Sequence, residues 1–156
     1  MSKDSRAVAQ RILEECRAAG DPAVTPMQLL KLVYIAHGYM LAKHGVPLLR
    51  ESVQAWQYGP VVPILYQAVR DFRAMPVDAV PGAPFELFSP DEQAIIAEVA
   101  QTYGKVDGVT LSAATHQPGT PWTVTWNNHG QNAEISNDMI EAFYRWTLNQ
   151  PFHSAL

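Results

Sequence analysis

The stretch from Thr25 to Pro47 constrains this chain more than any other. Thr25-Pro26-Met27-Gln28 is a helix start: a capping hydroxyl, proline at the first helical position, and Gln three residues after the cap. The helix it opens is apolar nearly all round. Leu30, Val33, His37 and Leu41 line one stripe, while Leu29, Leu32, Ala36 and Tyr39 line another. It runs to about His44, where Gly45 and Pro47 end it. A helix apolar on opposite sides is a central one that neighbours must cover, so the rest of the chain has to wrap around it.

The remaining segments supply that cover. From Asp4 to Ala19 the residues Val8, Ile12, Leu13 and Cys16 recur at helical spacing, with Arg6, Gln10, Glu14 and Arg17 opposite and Gly20 as a stop. Leu48–Tyr58 alternates weakly and reads as a short extended piece near residues 52–58. Gly59-Pro60 breaks it, and Val61, Leu65, Ala68 and Phe72 predict a helix over 61–72. Pro76, Pro81, Gly82 and Pro84 make 74–88 a long loop. Ser89-Pro90-Asp91-Glu92 repeats the capping logic, with Ile95, Ile96, Val99 and Tyr103 as the buried face and Gly104 closing the helix. Asp107 caps a short helix over Val109–Thr115, and His116–Trp122 is turn-rich. Ser136 looks like a cap with a hydrophobic staple between Ile135 and Ile140. Met139, Ile140, Phe143, Trp146 and Thr147 form the last helical face, which Pro151 ends. The expected class is mainly α: a single compact domain of six to seven short helices. Residues 1–24 form an N-terminal amphipathic helix and linker, packed as one unit with a domain over 25–150.

Composition removes several function classes. Lys+Arg 11 against Asp+Glu 15 gives a net charge of −4, whereas duplex binding normally rests on a basic surplus that neutralises phosphates, so nucleic acid is not expected as a partner. A single cysteine, Cys16, forms neither an internal disulfide nor a thiolate cluster. No apolar run approaches the ~20 residues of a membrane span, and the polar N-terminus is unlike a signal peptide, so the expected address is the cytoplasm, with no membrane partner.

Chemistry is sparse. There is no Gly-rich phosphate loop, no Cys-x-x-Cys and no His-Glu-x-x-His. His37 and His44 share one broad helix face but lack a third ligand, so neither a metal nor a cofactor is expected. Ser112 and Thr115 near His116 are the weak candidates for a nucleophile and base. The competing reading has His116 satisfied by backbone partners in a turn.

Two groups of residues resemble a known family. The first is Leu29-Leu30-Lys31-Leu32-Val33-Tyr34-Ile35-Ala36-His37-Gly38-Tyr39, then Pro47-Leu48, then Ala55-Trp56-Gln57-Tyr58-Gly59-Pro60-Val61-Val62-Pro63-Ile64-Leu65-Tyr66. The second is Tyr103-Gly104, Leu111-Ser112, Thr115-His116, Pro121-Trp122 and Ile135-Ser136 with the final helix. Together, from about Thr25 to Leu148, they look like the Panacea domain of SocA-like antitoxins and GepA-like phage-associated proteins. The resemblance implies an antitoxin of bacterial or phage origin that neutralises a cognate protein toxin, encoded nearby, by direct contact. The alternative is a proteolytic adaptor, as in one branch of the family, which hands its toxin to a ClpXP-type protease and so also meets a protease chaperone. A third reading, an enzyme using His116, has less support. Family members pair one domain with unrelated toxins, which places toxin choice in the domain surface, the N-terminal helix or the 74–88 loop.

The signature residues also have a physical reading. Gly59-Pro60 permits a sharp turn and presets the dihedral at the start of the next helix. Trp56 and Tyr58 lie two apart, so in an extended segment they face the same way, as a core plug or as a partner anchor. The candidate partner-binding residues are therefore Trp56, Tyr58, Gly59, Pro60, Val61, Tyr66, His116 and Trp122, with core packing as the competing role for each. A homodimer is left open.

Overall fold

The computed structural model describes residues 2–20 and 23–150. The helix α2, Pro26–His44, is the axis of the fold. Its capping box is complete: the Gln28 amide donates to the Thr25 hydroxyl at 3.4 Å, and the Thr25 amide donates to the Gln28 side chain at 3.3 Å. Every residue from Gln28 to Leu41 is buried, as an all-round apolar helix requires. Four helices enclose it: α1 (Ser5–Ala18), α4 (Pro90–Tyr103), α5 (Gly108–Thr115) and α7 (Asn137–Leu148).

Each surrounding helix starts from a local side-chain signal. Asp4 caps α1 by accepting the Arg6 amide at 2.8 Å, and the Arg6 guanidinium grips the same carboxylate at 2.9 and 3.0 Å. Ser89 and Glu92 form a second complete capping box, and Asp107 and Ser136 cap α5 and α7. Ile135 and Ile140, the two staple residues, are both buried in the core. The buried residues of α1 enter the same core as α2. Ahead of α1, the Lys3 amide donates to the Leu48 carbonyl and the Arg50 amide to the Lys3 carbonyl, both at 2.8 Å, which ties the start of the chain to the segment after α2.

The closest approach in the core is between α2 and α7. A Cβ on Gly38 would stand 2.2 Å from Tyr144 Cδ2 and 2.4 Å from Cε2, so only glycine lets the Tyr144 ring lie flat on the α2 backbone. Tyr34, Tyr39, Tyr103 and Tyr144 then form a buried group of edge-to-face rings with centroids 5.9–6.2 Å apart. The Tyr39 and Tyr103 hydroxyls bond at 2.6 Å.

Three sequence expectations change. The extended piece is the first strand of a hairpin: β1 (Val53–Trp56) pairs antiparallel with β2 (Gly59–Val61), and β3 (Glu134–Ile135) joins on its other side in the order β2-β1-β3. Pro60 is thus not at a helix start. It sits opposite Ala55 on an edge strand, where a missing N–H costs no ladder bond. The next helix, α3, spans only Pro63–Val69, with Pro63 at its first turn, and a single 3-10 turn, Arg70–Phe72, follows it. Second, the turn-rich 116–122 segment leads into a further helix, α6 (Pro121–His129), capped by Thr120. Third, the buried stripe of α7 is Ile140, Tyr144 and Thr147, and Trp146 is 63% exposed. The expected end at Pro151 lies outside the described residues. The architecture is mainly α, with seven helices and one small sheet among the described residues.

Candidate functional site

The β1–β2 hairpin packs on the helical body with Gln57 and Tyr58 exposed at its tip. Three side chains from three helices hold it by successive alternate carbonyls. The Trp122 indole N–H of α6 donates to the Trp56 carbonyl at 2.6 Å. The Ser112 hydroxyl of α5 donates to the Tyr58 carbonyl at 2.6 Å, and the Lys31 ammonium of α2 donates to the Pro60 carbonyl at 2.9 Å. A turn that cannot satisfy its own carbonyls is thereby satisfied from outside, which makes it rigid.

Gly59 is the point where these groups meet. Its φ of +119° is closed to most side chains, and a Cβ there would lie 3.2 Å from Lys31 Nζ and 3.3 Å from Thr115 Oγ1. Lys31 is buried, and burial pulls its pKa down to about 7. Among the described residues the Pro60 carbonyl is its hydrogen-bond partner.

The eight residues singled out from the sequence come together around this hairpin but divide into two layers. Trp56, Tyr58, Val61 and Tyr66 line a cleft of about 430 Å³ between α2, the hairpin and α3. Trp56 and Tyr66 meet edge to face at 5.0 Å, and the Trp56 N–H donates to the Gln54 side chain at 3.0 Å. Trp56 ends the strand and Tyr58 lies in the turn, so the two differ in depth: Trp56 is half-buried and Tyr58 is 63% exposed. Gly59 and Pro60 are buried in the second strand. His116 and Trp122 stand behind it, with ring centroids 5.2 Å apart, and Trp126 stacks on Trp122 at 5.0 Å.

The hydroxyls beside His116 are committed to backbone. Ser112 donates to Tyr58, and Thr115 donates to the Leu111 and Ser112 carbonyls, each at 3.1 Å. His116 Nδ1 contacts the Ser112 carbonyl, so no imidazole–hydroxyl pair is assembled there. Among the described residues no group of three or more His, Cys, Asp or Glu is placed to hold a metal ion. His37 instead has both ring nitrogens occupied. Nε2 bonds Asn137 Oδ1 at 2.9 Å, and Nδ1 accepts the Leu49 amide at 3.2 Å. Among the described residues no helix is long and apolar enough to cross a membrane.

Sequence reasoning missed Lys31, Arg70 and Arg73, the three cations of the cleft wall. A signal existed for Lys31, a lone charge inside a helix apolar all round. The two arginines carried none, because the cleft they border is made by a hairpin and a 3-10 turn that no periodicity announces.

A family model described as antitoxin SocA-like, Panacea domain, matches residues 29–123. The chain is similar to the protein named antitoxin SocA of Caulobacter vibrioides (strain NA1000 / CB15N), with 35% identity over 141 residues, 84% of this chain and 74% of that protein. No solved structure matches it at a significant level.

Proposed function

This chain belongs to the SocA-like Panacea-domain family of antitoxins, and we propose that it neutralises a cognate protein toxin by direct protein–protein contact. The observation that carries the reading is the clamped hairpin. A module that binds by contact gains from presenting a fixed surface, since less ordering is lost on association. Here Trp122, Ser112 and Lys31 hold the strand ends while Tyr58, an amphipathic aromatic of the kind that anchors interfaces, stands free at the tip. In this reading Tyr58, Trp56 and Tyr66 touch the toxin. Gly59, Pro60, Val61, His116 and Trp122 hold the surface in place. The committed hydroxyls beside His116 supply no reason to prefer catalysis.

The test is growth rescue. The product of the neighbouring gene is expressed alone and with this chain. Arrest relieved by co-expression, with the two proteins recovered as a complex, is the expected outcome. A harmless neighbour, or arrest that co-expression leaves untouched, overturns the pairing.

A further inference from the structure

The cleft beside the hairpin has a charge pattern at odds with the rest of the molecule. The chain is acidic, with a net charge of −4, yet among the described residues this cleft is lined by Lys31, Arg70 and Arg73 and by no Asp or Glu. Asp71, whose carboxylate lies 3.9 Å from the Arg70 guanidinium, is itself almost fully exposed. Lys31 makes a second point. Among the described residues this ammonium, 2% exposed, has one carbonyl to bond and no carboxylate beside it as the counter-charge a buried cation needs. Arg73 makes a third. It holds φ 57 and ψ −115, a sparsely populated conformation for a side-chain-bearing residue, and strained backbone of this kind gathers at functional sites. Between these cations the floor is apolar and aromatic: Leu30, Val61, Trp56 and Tyr66.

We infer that this cleft is the docking site for an acidic peptide segment of the partner protein. Its carboxylates would meet Lys31, Arg70 and Arg73, and an adjacent apolar side chain would seat against Trp56 and Tyr66. A carboxylate is the counter-charge the three cations share, and oppositely charged walls steer association as well as fix register. Exposed Tyr58 and the 39%-exposed Met27 continue the apolar surface past the mouth, which suits a chain that runs on beyond the cleft better than a small anion or a nucleotide. The inference takes the partner's identity as a toxin from the reading above, but the cleft's chemistry stands on its own observations.

Two arms test it. In the first, a displayed random dodecapeptide library is panned against the full chain, and the enriched peptides are sequenced and titrated. Arg70→Glu/Arg73→Glu reverses two exposed charges, Arg70→Gln/Arg73→Gln merely removes them, and Trp146→Ser on α7 is the control. Enriched peptides should carry Asp or Glu beside an aromatic or aliphatic residue. They should lose at least tenfold in affinity to the Glu pair, less to the Gln pair and nothing to Trp146→Ser, and should weaken as salt rises. Peptides without acidic residues, binding indifferent to the arginines, or ATP bound more tightly than any peptide would each overturn the inference. In the second arm, the Glu pair replaces the wild-type chain in growth rescue. Lost rescue supports the cleft; full rescue by the Glu pair refutes it while leaving the antitoxin reading intact. Should the wild-type chain itself fail to rescue, the antitoxin reading falls, and the first arm decides the cleft.

Discussion

His37 shows how a single residue ties this fold to pH. The buried imidazole bonds on both sides: Nε2 donates to Asn137 and Nδ1 accepts from the Leu49 amide. Burial penalises the charged ring and outweighs the Asn137 bond, which favours the proton, so the pKa falls from 6.5 to about 4. The unfolded ring takes its proton near pH 6.5 while the folded one refuses it until about 4, so protonation between those values favours the unfolded chain. Stability should therefore fall by about 3 kcal/mol as pH drops across that window. Urea midpoints taken at half-unit pH steps would show the slope in the wild type and a flatter course in His37→Gln. Lys31 has the same sign in another window. Its ammonium, depressed from 10.5 to about 7, binds a proton more readily unfolded, so stability should climb from pH 7 towards 10 by up to about 1.4 kcal/mol per pH unit. Lys31→Met should abolish that climb; an unchanged slope would show the ammonium to be better solvated than its burial implies. His37 was visible in the sequence as a polar residue on the central stripe, but its partner Asn137 lies a hundred positions away, which no local pattern connects.

At the scale of elements, α7 depends on what α2 leaves out. Gly38→Ala puts a methyl group inside the Tyr144 ring, and overpacking of this kind costs about 1–3 kcal/mol. A melting temperature lower by roughly 3–10 °C is expected for a chain of this size, with loss of near-ultraviolet tyrosine signal as the ring cluster loosens. An unchanged melting temperature would mean that α7 is not seated as described. The hairpin depends on donors from other helices. Trp122→Phe keeps an aromatic ring but removes the indole N–H that α6 gives the Trp56 carbonyl, at about 0.5–1.5 kcal/mol by denaturant titration. The same elements mark how far the sequence could be read. Helices α1, α2, α4, α5 and α7 were legible because their caps are contiguous in sequence. Helix α6 was not predicted although Thr120-Pro121 carries the same start signal, since the preceding Pro118-Gly119 reads as turn. Gly59-Pro60 misled for a physical reason: proline suits a helix start and an unpaired strand edge alike. The exposed Trp146 shows that an apolar residue at roughly helical spacing need not be buried.

For the whole molecule, family membership and geometry meet at the hairpin. Among the described residues seven helices enclose the core, and what they present is a clamped aromatic tip beside a cationic, apolar cleft. On the proposed reading such a surface would neutralise by occupying its target, and occupation needs no second machine. The adaptor alternative differs in one requirement, since it works only while a protease removes the bound toxin. The direct measurement is therefore growth rescue and toxin abundance in paired hosts, one with and one lacking ClpXP. Contact neutralisation predicts equal rescue in both hosts, with the toxin's level undiminished by this chain. Rescue confined to the host that retains the protease, together with loss of the toxin there, would contradict it.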